Sequence, residues 1–289
     1  MESKEIDMKR LRMILNCTLI IASVAAMLWG QNLKPQEVIS KHLDAIGKKE
    51  VRDAVKTLLI AGLSEFEAKN PSVKGGGKAM VVSDSDNLYF LMTFNSKEYP
   101  FEKIGYFGDK VDLPFVNSGT RSLLGAFIAE HSKILTDGLF GGVTSLRWPF
   151  LDIEKRKPKV QSAGVKKIND RKVYALDYLP TGSGSNEFTV RLYFDSETFN
   201  HVRSEYRREI AAGQPAFGTA NQIASSILLL TEDFSDFRTV DGLTLPFSYR
   251  ADFVSNSNTN VFENVWSIKV ARYVFNQKLA ADFFTFETK

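Results

Sequence analysis

The 289-residue chain is 44% hydrophobic and 25% charged, and carries a formal net charge of +3. So weak a basic balance argues against a dedicated nucleic-acid surface, which needs clustered Lys and Arg. The single cysteine, Cys17, lies in a segment read below as removable, so the remainder would hold no disulfide, thiol nucleophile or thiolate metal ligand.

Lys9, Arg10 and Arg12 precede an apolar run from Met13 to Trp29, with the small residues Ala25, Ala26 and Gly30 near its end. That order marks a secretory signal peptide. The run matches the shortest spanning helices, about 17 residues, so a retained anchor stays open as the alternative. The expected organisation is a signal peptide over 1–30, cut near Gly30 or Gln31, and an exported remainder over 31–289, long enough for one large all-β domain or two smaller ones and read below, from a family resemblance, as a single domain.

Pro35 suits a first helical turn; Val38, Ile39, Leu43 and Ile46 follow at helical spacing and Gly47 supplies the stop. The period then changes to two, with Leu58, Ile60, Gly62, Ser64 and Phe66 on one side of a strand. Asn70-Pro71-Ser72 and Gly75-Gly76-Gly77 read as a turn before a strand over 78–83, and Asp84 to Asn87 as the next turn. Leu88, Phe90, Met92 and Phe94 share a strand face, and 102–107 continues the meander. Further strands are predicted over 172–179, 188–194, 201–209, 228–238, 245–253 and 262–273, with Gly182 to Ser185 as a turn. About ten strands without crossover helices predict a mainly β (α+β) fold built on a large, curved antiparallel sheet.

One segment breaks the pattern. Ser118 or Thr120 can cap a helix whose Leu123, Leu124, Phe127, Ile128, His131, Ile134 and Leu135 form one stripe. It runs into Thr136-Asp137-Gly138-Leu139-Phe140-Gly141-Gly142. A helix packed permanently on the sheet and a lid moving on its glycines over an apolar cavity both satisfy this pattern.

The search for catalytic groups is thin. His42, His131 and His201 are far apart, and none has a metal-motif partner. His131 reads as a core or rim histidine. His201, alternating with Arg203, Glu205 and Arg207, reads as part of a solvated face. Neither Ser118 nor Ser183 sits in a G-x-S-x-G elbow, and Gly75 to Lys78 lacks the spacing of a phosphate loop. The basic run Lys155 to Lys159 reads as a solvated loop. No catalytic residue, metal or cofactor is expected, and the chain is not expected to be an enzyme.

Asp233 to Phe247, DFSDFRTVDGLTLPF, resembles a phrase of outer-membrane lipoprotein-sorting proteins of the LolA/LolB type, in which a strand ends in Asp-Gly and the next opens apolar-Pro-aromatic. The hairpin Phe194 to Arg203 and the opening helix Val38 to Gly47 are similar to further family patterns. The resemblance spans most of residues 31–289, and the order of the motifs carries it, since Asp-Gly hairpins are common. It implies an unclosed β-barrel of about eleven strands, with helices over the open side and a cavity for acyl chains between them. The family's lid-holding arginine has no counterpart in Arg121 or Arg191, and 108–159 has none at all.

The bulky candidates for the inner wall are Phe90, Met92, Phe94, Leu192, Phe194, Phe247, Phe253, Phe262 and Trp266. Of these and the helix, Phe90, Met92, Phe94, Leu124, Phe127 and Ile128 are the expected acyl-chain site, although a filled core would need the same residues. The leading expectation is a periplasmic carrier of lipid or lipoprotein acyl chains in outer-membrane lipoprotein sorting, working between membrane-bound donor and acceptor proteins. The alternative is a non-catalytic envelope module whose sheet docks another protein.

Overall fold

The computed structural model describes residues 33–69, 72–180, 188–212, 225–257, 261–280 and 283–284. The expected signal peptide and the turn at Gly182 to Ser185 lie outside the described residues. Pro35–Lys289 forms one compact unit, distinct from Met1–Lys34. No described helix is long and apolar enough to cross a membrane.

Helices α1 (Pro35–Ile46) and α2 (Lys49–Ala54) lead into β1 (Leu58–Lys69), β2 (Ser72–Ser83), β3 (Asn87–Thr93), β4 (Phe101–Phe107) and β5 (Lys110–Asp112). The chain then passes through α3 (Leu123–Glu130), α4 (Lys133–Thr136), a 3-10 turn (Gly142–Thr144) and α5 (Ile153–Arg156). Seven strands follow: β6 (Lys159–Ile168), β7 (Arg171–Leu179), β8 (Phe188–Asp195), β9 (His201–Ile210), β10 (Ser226–Val240), β11 (Leu243–Ser257) and β12 (Val261–Phe275).

All twelve strands belong to one unclosed antiparallel sheet ordered β5-β4-β3-β2-β1-β12-β11-β10-β9-β8-β7-β6. That is one strand more than the resemblance implies. The chain enters mid-sheet at β1, works outward to the edge at β5, and must reach the opposite edge to begin β6. Residues 113–158 make that crossing over one sheet face, called here the inner face. Topology, not local propensity, puts this plug where it is.

Strand register shows why that face is apolar. One cross-strand row reads Phe66, Trp266, Ala251, Glu232, Ser204, Leu192, Leu176, and every member is buried. A second runs Phe253, Leu230, Tyr206, Val190, Tyr178. Period-two alternation places all of these side chains on the same side. Full burial of each large apolar side chain stabilises by roughly 1.5–3 kcal/mol, which is ample reason for the plug to stay seated.

Several expectations change. Gly75, Gly76 and Gly77 belong to β2 rather than a turn, and a Cβ at Gly77 would lie 2.1 Å from the Thr93 carbonyl oxygen. Glycine is there for close backbone approach. The helix predicted over 120–135 is two, α3 and α4, interrupted at His131. Its cap is Ser122, whose hydroxyl accepts from the Gly125 N–H, and not Ser118 or Thr120. Asp152 caps α5, so Lys155 and Arg156 sit on a short helix rather than in a loop. The short β5 and the largely exposed β6 were not expected as strands. Phe262 is exposed and Phe247 half-buried, so neither belongs with the buried wall.

Candidate functional site

Phe90 and Met92 point inward from β3, Phe94 follows that strand, and Leu124, Phe127 and Ile128 come from α3; all six are buried. Phe90 meets Phe140 of the plug edge-on with ring centroids 5.1 Å apart. Phe127 lies 5.3 Å from Phe253 of β11, and Phe94 stacks on Tyr99 at 5.1 Å. These residues lie in the layer between sheet and plug, and Phe90 and Phe127 each meet a ring across it. None lines the cavity that borders α1 and α2.

That cavity, about 630 Å³, lies at the other end of the layer. Its apolar bed is built by Leu43 and Ile46 of α1, Leu58, Leu146, Phe150 and Leu245. Its rim carries Lys49, Arg52, Asp53 and Lys56 on one side and Asp152, Ile153 and Glu154 on the other. The volume is within the usual range for small-ligand sites, roughly 300–1,000 Å³, and an apolar bed under a charged rim suits an amphiphile. The rim helices α2 and α5 contain no buried residue. Arg52 closes the α1 end, donating to the carbonyls of Leu43 (2.5 Å) and Gly47.

Between the two regions the plug is fixed by buried polar groups. Glu232 of β10 accepts from the Gly141 N–H and the Tyr249 hydroxyl on Oε1, each at 2.8 Å, and from the Tyr206 hydroxyl on Oε2, also at 2.8 Å. The Tyr206 hydroxyl also lies 3.1 Å from the Leu139 carbonyl. Desolvation pushes the Glu232 carboxyl up to about 7, although all three donors pull the other way. Glu102 of β4, hydrogen-bonded to Tyr99 and to the α3 cap Ser122, is likewise raised by burial to about 7. Ala251 and Ser204 flank Glu232 in its row and leave room for the plug backbone.

The histidines also belong to this anchorage. His42 donates from Nδ1 to the Phe199 carbonyl (3.0 Å) and accepts at Nε2 from the Trp148 indole N–H (3.0 Å). Those partners define its tautomer. Burial lowers its pKa to about 4. His201 is fully buried, contrary to the solvated face expected of it; it stacks under Trp148 at 4.5 Å and meets the Ser204 hydroxyl through Nε2 at 3.1 Å. A register shift between Tyr193 and Phe194 turns it inward. Gly142 makes room for it: φ is +48° there, and a Cβ would sit 2.8 Å from His201 Nδ1. His131, stacked on Phe188 at 4.4 Å, is the core-rim residue expected.

Arg147, unnoticed in the sequence, is the plug's buried cation. It donates to the carbonyls of Asp86 (3.2 Å) and Thr136 (3.1 Å) and lies 3.5 Å over the Tyr106 ring. Arg191 instead pairs with Asp177 at 2.6 Å, and Arg121 donates to the Leu113 carbonyl. Among the described residues, no group of three or more His, Cys, Asp or Glu is placed to hold a metal ion. Ser204 and His201 are both fully buried, and neither lines the cavity described above.

No protein-family model matches the chain, and no curated protein matches it. Solved structures do. A LolA superfamily protein from Nitrosomonas europaea is 13% identical with a TM-score of 0.46, over 88% of this chain and 98% of that one. A DUF1329 family protein from Desulfovibrio piger is 9% identical with a TM-score of 0.41, over 86% and 96%. A putative outer membrane lipoprotein-sorting protein domain from Vibrio parahaemolyticus is 10% identical with a TM-score of 0.44, over 86% of this chain and 95% of that one.

Proposed function

We propose that the chain is an exported, periplasmic carrier that shields the acyl chain of a lipid or lipoprotein, in the service of outer-membrane lipoprotein sorting. The observation that carries this reading is the 630 Å³ cavity with an apolar bed, open beneath α2 and α5. Each methylene moved out of water into it gains about 0.8 kcal/mol, so several hold a chain firmly but reversibly. Phe90, Met92, Phe94, Leu124, Phe127 and Ile128 form the deeper wall, available to cargo only when the plug yields. Release follows when a membrane or an acceptor protein offers an equally apolar environment.

Native mass spectrometry of the purified protein with a fluorescent fatty acid tests this. One acyl chain should bind per protein, and Leu146→Trp, which fills the cavity from a half-buried position in its bed, should abolish binding while the fold is kept. Undiminished uptake by that variant would remove the cavity from the function. A docking role for the sheet edge is less well supported: β6 carries Lys159, Lys166 and Lys167 and a bulge between Ser162 and Val165, features that discourage strand addition.

A further inference from the structure

The rim of the cavity has a charge distribution that the carrier reading does not require. Residues 48–56, comprising α2 and its flanks, carry Lys48, Lys49, Arg52 and Lys56 against Glu50 and Asp53. Residues 152–159, comprising α5 and its flanks, carry Lys155, Arg156, Lys157 and Lys159 against Asp152 and Glu154. The two stretches are remote in sequence, yet both border the same opening. Asp86, in the neighbouring turn, neutralises Lys155 at 3.1 Å, and Asp84 of that turn binds its own backbone, which still leaves an excess of cations. The rest of residues 31–289 is net acidic. The charges that line the opening balance, Lys49, Arg52 and Lys56 against Asp53, Asp152 and Glu154, and the excess lies just outside them, on Lys48, Lys155, Arg156, Lys157 and Lys159.

Exposure agrees with this. Lys48, Lys49, Lys56, Lys155, Lys157 and Lys159 are all exposed, and α2 and α5 bury no residue of their own. In their midst Ile153, 40% exposed, is an apolar side chain on the lip of the cavity. An apolar tip with lysines on long flexible stems close by in the chain is what an anionic lipid surface attracts: the ammonium groups meet the head groups while the aliphatic residue enters the interface.

We propose that this mouth, formed by α2 and α5, docks on an anionic bilayer surface so that the cavity opens directly onto the lipid. The inference rests on the carrier reading for its purpose but not for its physics. Docking apposes the apolar bed of Leu43, Ile46 and Leu245 to the membrane, so a chain passes between them without crossing water. Since the contact is electrostatic and exposed, it weakens as salt shortens the screening length from about 10 Å at 0.1 M towards 3 Å at 1 M.

The test is flotation of the chain from residue 31 onward, which contains the whole compact unit, with vesicles of phosphatidylcholine alone or with phosphatidylglycerol added. Binding should require phosphatidylglycerol and be lost at high salt. Lys155→Glu/Lys157→Glu/Lys159→Glu should lower it at least about tenfold, as expected when several cations near the surface are reversed. Ile153→Asp should lower it by a smaller factor at unchanged charge on the lysines. The control Lys166→Glu/Lys167→Glu/Lys172→Glu, an equal charge change on the β6–β7 hairpin, should bind like the parent. Equal loss in both triple variants would reduce the effect to net charge, and absence of phosphatidylglycerol-dependent binding would overturn the proposal outright. Fatty-acid uptake measured in vesicle-free solution separates the two claims: uptake without docking sinks this inference alone, and docking without uptake sinks the carrier reading alone.

Discussion

The two ends of the sheet–plug layer are built by opposite means. Around Glu232, His42 and Trp148 the plug is held by directed bonds from β9, β10 and α1, among fully buried side chains. Around Leu43, Leu146 and Leu245 the cover is two short helices with no buried residue, and the space is empty. A buried polar group forces its neighbours into one arrangement, because leaving it unpaired costs more than almost any loss of apolar contact. Where such groups are missing, the same fold has room for a guest.

The largest blow to the bolted end is Trp148→Ala. It removes a fully buried indole, its stack on His201 and its bond to His42, and should cost about 3–5 kcal/mol in urea denaturation. A loss under about 1 kcal/mol would show that the plug is not seated there.

Glu232→Gln comes next and depends on pH. The Glu232 pKa of about 7 lies above the ordinary glutamate value of 4.5, so the protonated carboxyl stabilises the fold. That contribution is complete below pH 4.5 and is lost as pH rises through about 7. Gln mimics the protonated form: its carbonyl keeps Gly141 and Tyr249, and its amide donates to Tyr206, which then donates to Leu139. The variant should match the parent at pH 4.5 and exceed it at pH 8 by up to about 3 kcal/mol, given roughly 1.4 kcal/mol per unit of pKa. His42 acts in the opposite direction: its pKa is lowered to about 4, so its share is present above pH 6.5 and lost as pH falls towards 4. Equal pH profiles for parent and variant would remove Glu232 from the account.

A smaller effect sharpens the comparison. Leu230→Ala, in the filled row, and Leu245→Ala, beside the cavity, delete the same atoms. The first should cost about 4 kcal/mol and the second about 2, near the two ends of the range for buried leucines, since Leu245 has fewer neighbours to lose. Equal costs would mean that the cavity is not a real difference in packing. The smallest change is Asp53→Ala, which removes an exposed partner of Lys49 and should leave the unfolding midpoint where it was.

Strands with one buried and one half-exposed face, such as β3 with Leu88, Phe90 and Met92 inward, were readable from alternation. The edge strand β6 was not, because it buries no face and so shows no period. His201 was misread for a subtler reason: it shares parity with Arg203 and Glu205, but the register shift at the start of β9 reverses that parity, and no residue in the sequence announces the shift. The six expected wall residues were recognisable as a buried set, since apolar periodicity reports burial. Whether the space among them is filled or vacant is decided by partners such as Phe140, Tyr249 and Phe253, distant in the chain. The cavity escaped notice for the same reason: α1, β1, the plug, β11 and β12 each give it a few side chains.

The seam between β1 and β12 has a consequence for how the molecule is made. It joins Leu58 to Phe275, so the middle of the sheet is completed only by β12, the last of the described strands. Nascent chain ending before β12 leaves two half-sheets with open backbones facing each other across a missing strand, a state prone to wrong pairing. Contacts this remote in sequence also slow the search for the native arrangement. The sheet therefore stays incomplete until β12 has been made, and β1 lacks its partner strand until then.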